Sequence, residues 1–153
     1  MQGDSNNDYY KIACNDMAYL QATLNTGLYN NIAVGCQQVA EKMLKSVAEV
    51  VCLNIGNLMN SHNLRAIYSE INRVEETFKL DKPSLAMLKD FYFDAKYPGD
   101  NFVVVDYETC AECLDILYDV IEQTNSFREH HGYITHTFLR LPLTKPIKQM
   151  NIF

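Results

Sequence analysis

Residues 30–51, NNIAVGCQQVAEKMLKSVAEVV, leave this chain little choice of fold. Ile32, Cys36, Val39, Ala40, Met43, Val47, Val50 and Val51 recur in steps of three and four, the spacing that gives one helix a broad apolar stripe. A helix with so wide a stripe needs other helices around it, so this one is expected at the centre of an all-α core. Beside the stripe, Gln37, Gln38, Glu41, Lys42 and Lys45 form a polar ridge. Glu41 and Lys45 stand one turn apart in the favourable acid-before-base order. A ridge of this kind is ordinarily a solvated face, and the alternative is a binding surface.

The remaining segments supply the partners that such a helix requires. Asp4 to Asn7 can cap a first helix of about twenty residues, with Tyr9, Ala13, Met17, Leu20 and Leu24 on its buried face and Thr26-Gly27 at its end. The connection to the second helix is then only a few residues, which predicts an antiparallel hairpin. Residues 53–61, LNIGNLMNS, break the periodicity and lead to Ser61 as a candidate cap. Leu64, Ile67, Tyr68, Ile71 and Val74 mark a third helix, with His62 at its first turn. Asp81 and Pro83 suit the start of a fourth, running from Ser84 to about Ala95 with Leu85, Leu88, Phe91 and Tyr92 inward.

Pro98-Gly99 fits the central pair of a type II turn, and residues 101–105, NFVVV, read as an extended linker because a lone strand has no partner. Asp106 can cap a last long helix, Tyr107 to Phe127, with Cys110, Leu114, Leu117 and Ile121 on its core side. Pro142 and Pro146 keep the tail from continuing as one helix, so it is expected to be partly ordered or to dock on another subunit. The expected division is a bundle over residues 1–132 and a basic tail over 133–153.

Charge and cysteine usage narrow the function classes. The chain of 153 residues carries a formal net charge of −6, against coating nucleic acid by bulk attraction. Residues 128–153 hold Arg128, Arg140, Lys145 and Lys148 against Glu129, a local +3 that leaves −9 on the remainder. The five cysteines are odd in number and lie in apolar helical patterns, which predicts core residues in a reducing, cytoplasmic setting. The start of the chain lacks the features of a signal peptide, and no run is long enough for a membrane span.

Motifs for common chemistry are missing. Cys110 and Cys113 form a lone CxxC inside a helix, and His130, His131 and His136 have no matching carboxylate or cysteine, so no metal site and no cofactor are expected. There is no Gly-rich phosphate loop, no Gly-x-Ser-x-Gly and no His-Glu-x-x-His.

Four pieces in order carry a family resemblance: Asp8-Tyr9-Tyr10, residues 37–45 (QQVAEKMLK), Ser61-His62-Asn63-Leu64, and Lys96-Tyr97-Pro98-Gly99-Asp100. Over about residues 8 to 127 the chain resembles the HEPN domain. The resemblance implies an antiparallel up-and-down bundle of four to five helices, usually a homodimer, in small prokaryotic proteins often paired with a minimal nucleotidyltransferase as a toxin–antitoxin system. It also implies nucleotide or RNA binding, for which Gln38, Lys42, Lys45, His62, Lys96, Tyr97 and Asp100 are the candidate residues. Many HEPN proteins cleave RNA without metal through an Arg, four to six residues and a His. This chain has Lys96-Tyr97-Pro98 where the family commonly shows Arg-Tyr-Pro, and Arg128 and His136 are separated by seven residues and placed beyond the last helix. Two functions follow: a binding module, or a metal-independent ribonuclease in which His62 or His131 works with Lys96 or Arg128.

Overall fold

The computed structural model describes residues 8–52, 56–99 and 101–146. Among them are six helices and no strand: α1 Asp8–Ala22, α2 Tyr29–Val51, α3 Gly56–Met59, α4 Leu64–Val74, α5 Lys82–Asp94 and α6 Tyr107–His130. Five long helices and one single-turn helix make the all-α bundle that the periodicities require. Among the described residues no helix is long and apolar enough to cross a membrane.

The centre is α2, which packs against α1, α4, α5 and α6. Because it is enclosed on most sides, its buried set extends past the apolar stripe to Asn30, Gln37, Glu41, Lys45 and Ser46. Ile32, Val39, Met43, Leu44 and Val47 form the heart of the core with Met17, Leu20, Ile67, Ile71, Leu88 and Leu117. α1 ends where the Thr23 and Thr26 hydroxyls donate to the Leu20 and Thr23 carbonyls, each at 2.7 Å. Gly27 then takes a φ of 74°, which side chains rarely adopt, and the chain returns as α2. At Gly35 a Cβ would come within 2.8 Å of Leu20 Cδ1, so the glycine lets the two helices of the hairpin meet closely.

Caps follow short side chains. Asp81 accepts from Ser84 N–H, and Asp106 from Thr109 N–H, as their sequence positions suggest. For α4 the cap is Asn63, whose Oδ1 accepts from Ala66 N–H, and Ser61 instead accepts from Asn63 N–H one step earlier. Tyr10 rather than Tyr9 is the buried aromatic of α1, and Val74 is exposed because α4 ends there.

α6 runs three residues beyond the expected Phe127 and so includes Arg128, correcting its placement outside the helix. Past Gly132, residues 133–146 lie across α1 and α6 of the same chain. Gln21, Tyr118 and Tyr107 donate to the carbonyls of Leu139, Leu141 and Leu143, so helix side chains satisfy alternate backbone acceptors. Leu143 is buried, and Arg140 reaches both Asp119 and Glu122 at 2.7 Å.

Candidate functional site

The polar ridge of α2 separates into two groups that face different neighbours. Gln37, Glu41 and Lys45, four residues apart, form a buried seam beneath α3 and the start of α4. Gln38 and Lys42 point to the other side, toward α1.

In the seam, Glu41 is the hub. One carboxylate oxygen accepts from Gln37 Nε2 at 3.1 Å and lies 2.9 Å from His62 Nδ1, and the other accepts from Lys45 Nζ at 2.9 Å. Lys45 also donates to the Met59 carbonyl at 2.8 Å, tying α3 to α2. Burial alone would raise the Glu41 carboxyl, but the hydrogen bonds from Lys45, His62 and Gln37 outweigh it and hold the group below its ordinary value. Lys45 is 3% exposed, so both its charge and its donors are committed inside the protein. His62 is more open. Its ring stacks on Tyr92 with centroids 3.9 Å apart, and it faces a cavity of about 310 Å³ shared with Asp90, Asp94 and Lys89.

The larger cavity, about 600 Å³, lies between α1 and α2 beside the end of α5. Asn31, Gly35, Gln38 and Lys42 line it along one stripe of α2, with Asp16, Leu20 and Lys96 opposite or at its end. Lys42 donates to Asp16, and both side chains are about one-third exposed. Lys96 comes to this cleft because Asn30, buried at the first turn of α2, holds the α5–α6 connection. Its amide donates to the carbonyls of Ala95 at 3.1 Å and Val103 at 2.7 Å, and its Oδ1 accepts from Val105 N–H at 2.8 Å. The exposed Lys96 ammonium lies 5.3 Å from the Tyr92 ring centre and 5.4 Å from that of Tyr97.

The structure therefore brings Gln38, Lys42 and Lys96 to one cleft, sets the exposed Tyr97 beside Lys96, and places Lys45 and His62 in the neighbouring seam. Asp100 lies outside the described residues. Sequence reasoning missed Asp16, Asn30 and Asn31. The repeat of Asn31, Gly35, Gln38 and Lys42 at helical spacing could have revealed the cleft wall, whereas nothing local marks Asp16.

The remaining candidates for chemistry are held elsewhere. Arg128 is buried, with its guanidinium 3.7 Å from the Tyr10 ring centre and Nε donating to the Ile134 carbonyl at 3.0 Å. His131 Nε2 lies 3.5 Å from Glu75. Cys110 and Cys113 are buried thiols pushed by burial up to about 12. Among the described residues no cluster of three or more His, Cys, Asp or Glu could hold a metal ion.

Fold and cleft together describe an all-helical bundle with an open polar cleft along its central hairpin. The sequence model of the HEPN domain matches residues 7–126, and the chain belongs to that family. No curated protein and no solved structure matches it.

Proposed function

We propose that this HEPN protein is a binding module whose α1–α2 cleft takes a phosphate-bearing ligand, a nucleotide or RNA. The observation that carries the reading is the convergence of Gln38, Lys42 and Lys96 on one cavity of about 600 Å³, a size suited to a small ligand. Lysine ammonium groups act on phosphate as point charges with strong, charge-assisted hydrogen bonds. The side cavity at His62 is the poorer receptor, because Asp90 and Asp94 outnumber Lys89 and repel an anion.

Titration calorimetry with nucleotides and short RNAs at fixed salt tests this. Lys96→Ala should weaken binding by about tenfold, the scale of one lost hydrogen bond to a charged group, and Lys42→Ala by less, since Lys42 is already paired with Asp16. Lys45→Ala should lower the melting temperature, since Lys45 is spent on Glu41 and Met59. Wild-type affinity in both cleft variants would eliminate the cleft.

Metal-independent RNA cleavage is the competing reading, and one observation favours it: Glu41 holds the partly exposed His62 ring through Nδ1, which leaves Nε2 to meet a substrate. Vigorous cleavage without metal, lost in His62→Ala or His131→Ala, would move the function there.

The family resemblance adds a homodimer and a minimal nucleotidyltransferase partner in a toxin–antitoxin-like pair. Exposed Phe93, Tyr97, Phe102 and Val104, close in sequence around the end of α5, supply apolar surface for association. Sedimentation at tens of micromolar should give a dimer, and the dimer should shift on adding a nucleotidyltransferase encoded beside it. A monomer at that concentration would remove the dimer.

A further inference from the structure

The charges that face the cleft limit how many phosphates it can hold. Its charged lining residues are Asp16, Lys42 and Lys96, and the first two are already joined. Of the two cations, Lys96 is the one with no carboxylate against it among the described residues; its contacts are the rings of Tyr92 and Tyr97. The described lining of the cleft thus carries a net charge of +1, concentrated at one end. Asn31 and Gln38 supply side-chain amides that make no hydrogen bond to another described residue, so they are available to neutral polar groups of a ligand.

The two ends of the cleft differ. Lys96 sits by the first turn of α2, where Asn30 fixes it through Ala95. Lys42 is eleven residues further along from Asn31, about 16 Å at 1.5 Å per residue. Asp16 occupies that far end and disfavours phosphate there, but its carboxylate can accept from a ribose hydroxyl or a base amino group. An anion therefore settles at Lys96, and the neutral part of the ligand extends toward Asp16. Longer phosphate chains fit poorly. They are commonly carried with Mg²⁺ on carboxylates or cradled by a Gly-rich loop of backbone N–H groups. Here the cleft carboxylate is engaged by Lys42, and the sequence has no such loop.

Resting on the nucleotide reading above, we propose that the cleft selects a phosphomonoester: a nucleotide with one terminal phosphate, received at Lys96, its sugar and base lying along Asn31, Gln38 and Asp16. A phosphomonoester carries roughly −1.5 to −2 at neutral pH, of which the Lys96 ammonium offsets one charge. Its source is either a free nucleoside 5′-monophosphate or the 5′-phosphorylated end of an oligonucleotide.

Calorimetry on the full chain, at one salt concentration, compares nucleoside 5′-mono-, di- and triphosphates with a tetranucleotide bearing either a 5′-phosphate or a 5′-hydroxyl. The monophosphate should bind at least as tightly as the di- and triphosphates, and Lys96→Ala should weaken it at least about tenfold at an unchanged melting temperature. Tighter binding of the 5′-phosphorylated tetranucleotide than of the monophosphate would identify the chain end as the source. Binding of the monophosphate alone would identify the free nucleotide. Affinity rising about tenfold with each added phosphate, or a 5′-hydroxyl tetranucleotide binding as well as its phosphorylated form, would overturn single-phosphate selection while leaving the nucleotide reading intact. No nucleotide binding at all, or binding that neither Lys42→Ala nor Lys96→Ala disturbs, would overturn that reading and this inference with it.

Discussion

Met43→Asp should destabilise the protein by about 3–8 kcal/mol, enough to leave much of it unfolded at ordinary temperature. Met43 is fully buried on α2, the helix that every other long helix packs against. Truncating a buried methionine costs about 2–5 kcal/mol through lost contacts and an unfilled cavity. The new carboxyl adds the penalty of an unsatisfied polar group, about 1–3 kcal/mol even when it stays protonated. Domains of this size have only about 5–15 kcal/mol to lose. Asn31→Asp is the control, since it places the same group on the same helix at an exposed position and should change stability by less than about 0.5 kcal/mol. Chemical denaturation of the three proteins decides the matter. A Met43→Asp protein that melts with the wild type would mean that α2 does not present this face to the core.

The fold was legible in the sequence because burial leaves a periodic trace. The stripe from Ile32 to Val51, the caps at Asp81 and Asp106, and the core side of α6 at Cys110, Leu114, Leu117 and Ile121 all follow from local rules that the tertiary structure keeps. The same rules missed where side-chain chemistry is non-local. Polarity alone made Gln37, Glu41 and Lys45 look like solvated surface, yet they are buried because each finds a partner within the seam or on the α2–α4 connection. Asn30 looked like a helix-start residue, but its amide serves three backbone groups more than sixty residues away. Arg128 reads as part of a basic tail and is packed between two tyrosines. The cleft was half visible: Gln38, Lys42 and Lys96 were candidates, while Asp16 was not, because nothing near it in sequence signals that α1 turns it toward Lys42.

Glu41→Ala should cost about 3–5 kcal/mol, the usual penalty for leaving one member of a buried ion pair without the other. Among the described residues the Lys45 ammonium would keep only the Met59 carbonyl as an acceptor, and His62 and Gln37 would lose theirs together. The pair as such is a weaker contributor than that number suggests. Replacing both members by apolar residues, Glu41→Leu with Lys45→Met, should come within about 2 kcal/mol of wild type, because the desolvation cost of both charges disappears with their attraction. The pH dependence has a definite sign. The folded carboxyl titrates below its ordinary value of 4.5, so it binds fewer protons than in the unfolded chain between the two pKa values. Its contribution is fully present above about pH 4.5 and is lost as pH falls through the lowered value. The stability gap between wild type and Glu41→Ala should therefore hold constant from neutrality to about pH 5 and narrow below it. Urea titrations at pH 7, 5 and 3.5 measure that gap, and one that widens toward acid would mean that Glu41 is not held as an ionised acceptor of Lys45, His62 and Gln37.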